Sequence, residues 1–174
     1  MEETISSTLI QEGRSFSFYH DRVLLPNGRE TDRNIVKHPG AVAIIAVQDD
    51  EIVLIKQYRY ATGKYLLEIP AGTLESGEDP LQCAVRELQE ETGYAASAWS
   101  RLFQCYMVPG YSNEIIYFFL AEGLTKVGAS PEEDEDIEVK LIGLDEALSM
   151  IDGNEIEDIK TMIGVLSYLT RVTP

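Results

Sequence analysis

The sequence predicts an α/β protein, a mixed-sheet sandwich of the α+β or α/β kind, with an antiparallel β-strand extension at its N-terminus. Three observations predict it. Strand-like and helix-like segments alternate without the strict βαβ rhythm of a doubly wound sheet. The first 38 residues read as strands alone. The chain has 174 residues with 44% hydrophobic content, about one average domain, long enough to bury roughly two thirds of its unfolded surface.

The elements follow in order. Segments 16–25 and 29–36 flank Pro26-Asn27-Gly28, where Pro fixes φ and Asn and Gly tolerate positive φ, so they form a hairpin. Segment 41–47 is apolar, Asp49-Asp50 breaks it, and 52–60 resumes with alternation as a second hairpin. A short strand at 65–69 is stopped by Pro70, two more at 99–108 and 114–121 flank the Pro109–Asn113 loop, and a last one lies at 137–142. Helices are predicted over 81–91, 145–151 and 158–169. The first carries Leu81, Ala84, Val85 and Leu88 at helical spacing, and Cys83 falls away from that stripe. Asp79 is its N-cap, Pro80 its first residue, Gln82 stands three after the cap, and Gly93 is placed to cap its end in a left-handed conformation. The third helix repeats Ile159, Met162, Ile163, Leu166 and Leu169 on one face.

Acids outnumber bases by 30 to 14, for a net charge of −16. Residues 1–38 hold six acids and five bases, and the remainder holds 24 and nine, so the excess sits after residue 38. Such a chain repels phosphate backbones and anionic membrane surfaces, so neither a nucleic acid nor a membrane is expected as a partner. If it handles an anionic substrate, a divalent cation must mediate; a solvated acidic surface fits the same charge. Cys83 and Cys105 are too few for a disulfide framework and lack metal-ligand spacing. The opening MEETISS is polar and acidic, unlike a secretory signal, and no apolar run approaches the ~18 residues of a membrane span. The expected location is a reduced cytoplasm.

Glu87, Glu90 and Glu91 lie at i, i+3 and i+4 of the first helix, on one face. Like charges at that spacing repel, and the C-terminal half of a helix disfavours anions. A divalent cation between them would offset both penalties, and oxygen donors point to Mg²⁺ or Mn²⁺. An exposed acidic helix face is the competing reading of these three residues taken alone.

The wider pattern decides between them. Gly72, five residues, Glu78, seven residues, Arg86-Glu87-Leu88, one residue, Glu90-Glu91, one residue, Gly93-Tyr94 resembles the box of the Nudix hydrolases at all seven fixed positions. At ordinary residue frequencies such a match arises by chance on the order of 10⁻⁹ per starting position. Tyr94 departs from the aliphatic residue usual at the closing position. The resemblance implies an α/β/α Nudix fold. It also implies Mg²⁺ (or Mn²⁺) held by Glu87, Glu90, Glu91 and the Ala71 carbonyl, with Glu90 and Glu91 also catalytic. Gly72, Glu78, Arg86 and Gly93 are structural in the motif, Gly72 and Gly77 turning the backbone tightly, and Glu78 and Arg86 bracing loop against helix.

Features outside the box resemble the ADP-ribose pyrophosphatase branch: Gln57-Tyr58-Arg59, Glu68-Ile69-Pro70-Ala71-Gly72, and Pro109 placed 15 residues beyond Tyr94 and followed by Ser112-Asn113-Glu114. They imply Arg59 on the substrate diphosphate and Glu68 and Glu114 toward the terminal ribose. The acidic run before the last strand implies a general base, Glu135, with Glu133 second. Tyr111 lies near where the diadenosine polyphosphate branch has a tyrosine. His38, before Pro39, reads as a turn residue. The implied reaction is hydrolysis of ADP-ribose to AMP and ribose 5-phosphate. Hydrolysis of other nucleotide sugars or dinucleoside polyphosphates, and a silent ligand-sensing domain, are the alternatives. The resemblance also implies a homodimer built through residues 1–38, with 39–174 as the catalytic domain.

Overall fold

The computed structural model describes residues 1–130 and 136–172, the side chain of Val172 excepted. Ten strands and three helices run β1 (Glu3–Glu12), β2 (Ser17–Leu24), β3 (Glu30–Lys37), β4 (Ala41–Gln48), β5 (Glu51–Arg59), β6 (Lys64–Glu68), β7 (Ala71–Thr73), α1 (Pro80–Thr92), β8 (Tyr94–Tyr106), β9 (Ile115–Lys126), β10 (Ile137–Gly143), α2 (Leu144–Asp152) and α3 (Ile159–Val172).

The main sheet has the order β10-β5-β4-β9-β8, with β6 on β5 and β7 on β4. Its centre is β4, buried from Ala41 to Val47. That is why the strand is a continuous apolar run: both of its faces are covered. Val42, Ile44 and Ala46 face α1 through Cys83, Ala84 and Leu88. Ala41, Ala43, Ile45 and Val47 face Ala147 of α2 and Val165 and Tyr168 of α3. The molecule is therefore an α/β/α sandwich on a mixed sheet, because β4 runs parallel to β9 from Ala41↔Ile116 to Ala46↔Ala121.

The hairpin of β4 and β5 is real but brief. Only Val47↔Ile52 and Gln48↔Glu51 pair. Beyond them β5 diverges, and β7 takes the vacated edge at Ala41↔Thr73, Val42↔Gly72 and Ala43↔Ala71. This split brings the segment after Pro70 beside α1.

The N-terminal strands form a separate three-stranded sheet, β1-β2-β3. The β2–β3 hairpin turns at the expected place, but β1 pairs along β2 from Glu3↔Leu24 to Glu12↔Ser17 where no strand was expected. All ten β1 residues are exposed, so burial leaves no alternation there to read. The sheet is tied to the rest by a Val36↔Ser112 bridge and by Asn113, whose Oδ1 accepts from His38 N at 2.8 Å. His38 Nδ1 accepts from Gly40 N at 3.1 Å, which makes it a turn residue.

Two helices present faces other than those the periodicity indicated. On α1, Leu81 and Val85 are exposed, and the buried side is Cys83, Ala84, Leu88, Glu91 and Thr92. Cys83 is thus a core residue, and the helix is rotated so that its glutamates turn inward. On α3, Ile159 and Leu166 are exposed while Lys160, Thr161, Val165 and Tyr168 are buried. Polar ties pull that face in: Thr161 Oγ1 accepts from Ile69 N at 2.8 Å.

Candidate active site

The ends of α1 are set as the sequence requires. Asp79 Oδ1 accepts from Leu81 N at 2.9 Å and Gln82 N at 3.3 Å, a cap of about 1 kcal/mol. Gly93 at φ 72° closes the helix, its N–H donating to Gln89 O at 2.9 Å. A Cβ there would stand 2.7 Å from Ala129 N, so glycine is required by space as well as by φ.

Between these caps, α1 presents its glutamates to the segment following Pro70. Glu91, only 4% exposed, accepts from Ala71 N at 2.9 Å. Gly72 does not make a turn, as the sequence suggested; it lies inside β7, and a Cβ on it would fall 1.9 Å from Glu87 Cδ. The missing side chain is the space that the Glu87 carboxylate occupies. The turn is made by Gly77, at φ 78°.

Arg86 organises the acids. Its Nε and Nη2 donate to Glu78 Oε1 and Oε2 at 3.0 and 3.1 Å, a two-pronged grip. Its Nη1 donates to Glu87 Oε1 at 2.7 Å and Glu90 Oε2 at 3.0 Å. Glu78 also accepts from Glu75 N at 2.9 Å, which ties the loop to the helix. Hydrogen bonding from Arg86 holds Glu78 down to a pKa of about 2, and bonding to Glu78 strengthens the hold of Arg86 on its proton. Cys83 Sγ accepts from Arg86 Nη2 at 3.4 Å, and burial pushes its thiol pKa up, away from reactivity.

On the opposite wall, Arg59 at the end of β5 reaches back along the β5–β6 hairpin. Its Nε and Nη2 donate to Glu68 Oε1 and Oε2 at 2.7 and 2.6 Å. Lys160 of α3 also donates to Glu68 and lies 3.1 Å from Asp158.

One cleft of about 780 Å³ joins these parts, a size suited to a small-molecule ligand. Arg59, Ala71, Gly72, Arg86, Glu87, Glu90 and Glu91 all line it. Glu78 braces from behind and Gly93 caps the helix. Glu68 departs from its expected place toward a ribose: it is 1% exposed, outside the cleft lining, with both oxygens engaged. Glu114 is also outside the lining, before β9, where its N–H donates to Ser112 Oγ at 3.1 Å. Tyr111 is exposed and does not line the cleft; its carbonyl accepts from Val36 N at 2.8 Å. Glu135 and Glu133 lie outside the described residues. Sequence reasoning missed Arg14 and Ser15, which enter the cleft lining from the β1–β2 connection, and Gln57. Only the folding of the N-terminal sheet onto the catalytic unit brings the first two there.

The donor set fits a hard divalent cation. Three carboxylates and a backbone carbonyl offer oxygen alone. A cationic nitrogen, Arg86 Nη1, already stands between Glu87 and Glu90. Among the described residues the acids are not drawn to the spacing of a metal shell, since Arg86 and Ala71 N hold them apart.

The family model named NUDIX domain matches residues 36–162. The chain belongs to the Nudix family. It is 42% identical over 167 residues to an ADP-ribose pyrophosphatase of Bacillus subtilis (strain 168), covering 94% of this chain and 90% of that one. It is 45% identical over 167 residues, with the same coverage, to a methanol dehydrogenase activator of Bacillus methanolicus. A crystal structure of an ADP compounds hydrolase superposes with a TM-score of 0.86 over 99% of this chain and 96% of that one, at 20% identity, a likeness of fold. As in other Nudix proteins, the glutamate-bearing helix and the loop before it form the wall of the cleft.

Proposed function

We propose that this Nudix hydrolase cleaves the pyrophosphate bond of ADP-ribose, giving AMP and ribose 5-phosphate, with Mg²⁺ or, in its place, Mn²⁺. The carrying observation is that one cleft sets Arg59 of β5 opposite Glu87, Glu90 and Glu91 of α1. An anion-binding guanidinium facing a cation-binding wall suits a diphosphate that needs both. The relative at 42% identity supports ADP-ribose over other nucleotide sugars and over dinucleoside polyphosphates. The complete box, with every fixed glutamate present, argues against a silent sensor.

Glu87, Glu90, Glu91 and the Ala71 carbonyl would hold the metal. When bound, it neutralises charge on the pyrophosphate oxygens and acidifies an attacking water. Ala71 N–H orients Glu91, and Gly72 admits Glu87. Arg86, anchored by Glu78, keeps Glu87 and Glu90 from repelling one another before the metal arrives. Arg59 forks onto the diphosphate. Glu135 is the proposed base that takes the proton of the water, with Glu133 second, and Glu114 remains a candidate contact for the terminal ribose.

Residues 1–38 form the dimerisation extension and 39–174 the catalytic unit in this reading. Ile5, Leu9 and Ile10 are exposed on β1, which supports a second copy of the chain as their cover, and hence a homodimer. Net charge of −16 supports the absence of nucleic-acid partners, and no helix among the described residues is long and apolar enough to cross a membrane. A cytoplasmic location accords with both free cysteines.

The test is a panel of ADP-ribose, ADP-glucose, UDP-glucose, diadenosine polyphosphates, NADH and coenzyme A, with Mg²⁺, with Mn²⁺ and with chelator. ADP-ribose should have the highest kcat/KM, and chelator should abolish turnover until metal is restored. A different substrate favoured by about tenfold would overturn the assignment.

A further inference from the structure

Behind the cleft wall lies a polar cluster that the box does not contain. Glu68 is 1% exposed and Lys160 8% exposed, so both charges are withdrawn from water. Burial works against the charged form of Glu68. The hydrogen bond from Arg59 and the positive charges of Lys160 and Arg59 outweigh it and hold the carboxylate below its usual range. Asp158 joins the group: its Oδ2 lies 3.1 Å from Lys160 Nζ and accepts from Thr161 N at 2.9 Å and Thr161 Oγ1 at 2.6 Å. Thr161 Oγ1 in turn accepts from Ile69 N, the residue after Glu68. The start of α3 is thus fastened to the end of β6 by a backbone bond and an ion pair side by side.

Arg59 is the only member of this cluster that also lines the cleft. Its Nε–Nη2 edge is spent on Glu68, which leaves Nη1 as the donor for a ligand. The charge count explains why Lys160 is needed. With Lys160 present, two cations face two carboxylates. Without it, Arg59 alone would answer both Glu68 and Asp158, and its guanidinium would be neutralised from behind before any phosphate reached it.

We infer that Lys160 is a positioning residue for substrate binding: it satisfies Glu68 from the far side, so that Glu68 fixes Arg59 without cancelling its charge toward the diphosphate. This rests on the reading of Arg59 as the diphosphate ligand. The role of Lys160 is to preserve the affinity of the cleft for anions, and its loss should appear in KM far more than in kcat.

The experiment is a double-mutant cycle of Lys160→Met and Arg59→Gln, with Lys160→Arg as the charge-keeping variant. KM and kcat for ADP-ribose are measured with Mg²⁺, and affinity for ADP-ribose by calorimetry with EDTA present. Lys160→Met should raise KM and weaken the metal-free affinity by about tenfold with kcat changed less than about threefold, and Lys160→Arg should restore most of the loss. In the Arg59→Gln background, Lys160→Met should add nothing, because it acts through Arg59. If Arg59→Gln itself leaves affinity unchanged, the diphosphate reading falls and the inference with it. If Arg59→Gln weakens binding but Lys160→Met does not, or does so equally in both backgrounds, the inference alone is overturned. Should Lys160→Met fail to fold for want of a partner to Glu68, the Glu68→Gln/Lys160→Met pair removes both charges; wild-type affinity in that pair would overturn the inference equally.

Discussion

Gly72 and Glu87 share one space: a Cβ on residue 72 would lie 1.9 Å from Glu87 Cδ and 2.0 Å from its Oε1. The clash falls on the far end of a flexible side chain, not on backbone. Gly72→Ala should therefore leave the fold standing, with a loss of about 1 kcal/mol or less in urea unfolding, while the Glu87 carboxylate is driven from the cleft. Turnover should fall at least about 100-fold. Near wild-type turnover in a folded Gly72→Ala protein would show that the position of Glu87 does not matter to the reaction.

Glu91 is buried against Ala71 N, and a glutamine there keeps an oxygen to accept that bond. Glu91→Gln should consequently keep its melting temperature within a few degrees. It loses the negative charge a divalent ion needs, so kcat should drop by orders of magnitude and the Mg²⁺ concentration for half-activity should rise. A metal titration of activity beside a thermal melt checks both halves.

The Glu78–Arg86 pair makes stability depend on acid. Glu78 has a folded pKa of about 2, below its unfolded value, so the folded state binds this proton less readily. The stabilisation it supplies is fully present above the unfolded carboxylate range and is lost as pH falls toward 2. Thermal melts from pH 2 to 6 should show a flatter acid limb for Glu78→Gln than for the wild type. At pH 7 the variant should melt lower, since the Arg86 edge that gripped two oxygens at 3.0 and 3.1 Å keeps only a neutral acceptor.

Leu9 lies on β1, every residue of which is exposed. Light scattering at micromolar concentration should give a dimer mass for the wild type and a monomer mass for Leu9→Asp, because a charge on a covered apolar face is not accommodated. A wild-type monomer would remove the case for a two-fold assembly.

How much of this was legible beforehand varies element by element. Asp79, Pro80 and Gly93 marked the ends of α1 because capping is chemistry between residues close in sequence. The box glutamates came out on one helix face for the same reason. The face that the helix buries was misread: Leu81 and Val85 look like core and are exposed, while Cys83 is fully buried. Periodicity registers apolar side chains, but here a carboxylate, Glu91, belongs to the inside. Likewise β1 gave no signal, since a fully exposed strand has no buried side to alternate with.

The sequence by itself determined the sandwich of strands and helices, the capped helix and the spacing of its acids, because each rests on local geometry and a seven-position pattern. The tertiary structure alone decided the fate of Glu68, turned away from the cleft and held between Arg59 and Lys160, a residue 92 positions away. It alone brought Arg14 and Ser15 to the cleft as well. Charges that distant in the chain meet only when the sheet and α3 pack, and the apolar burial that drives that packing carries no mark of which polar groups it will bring together.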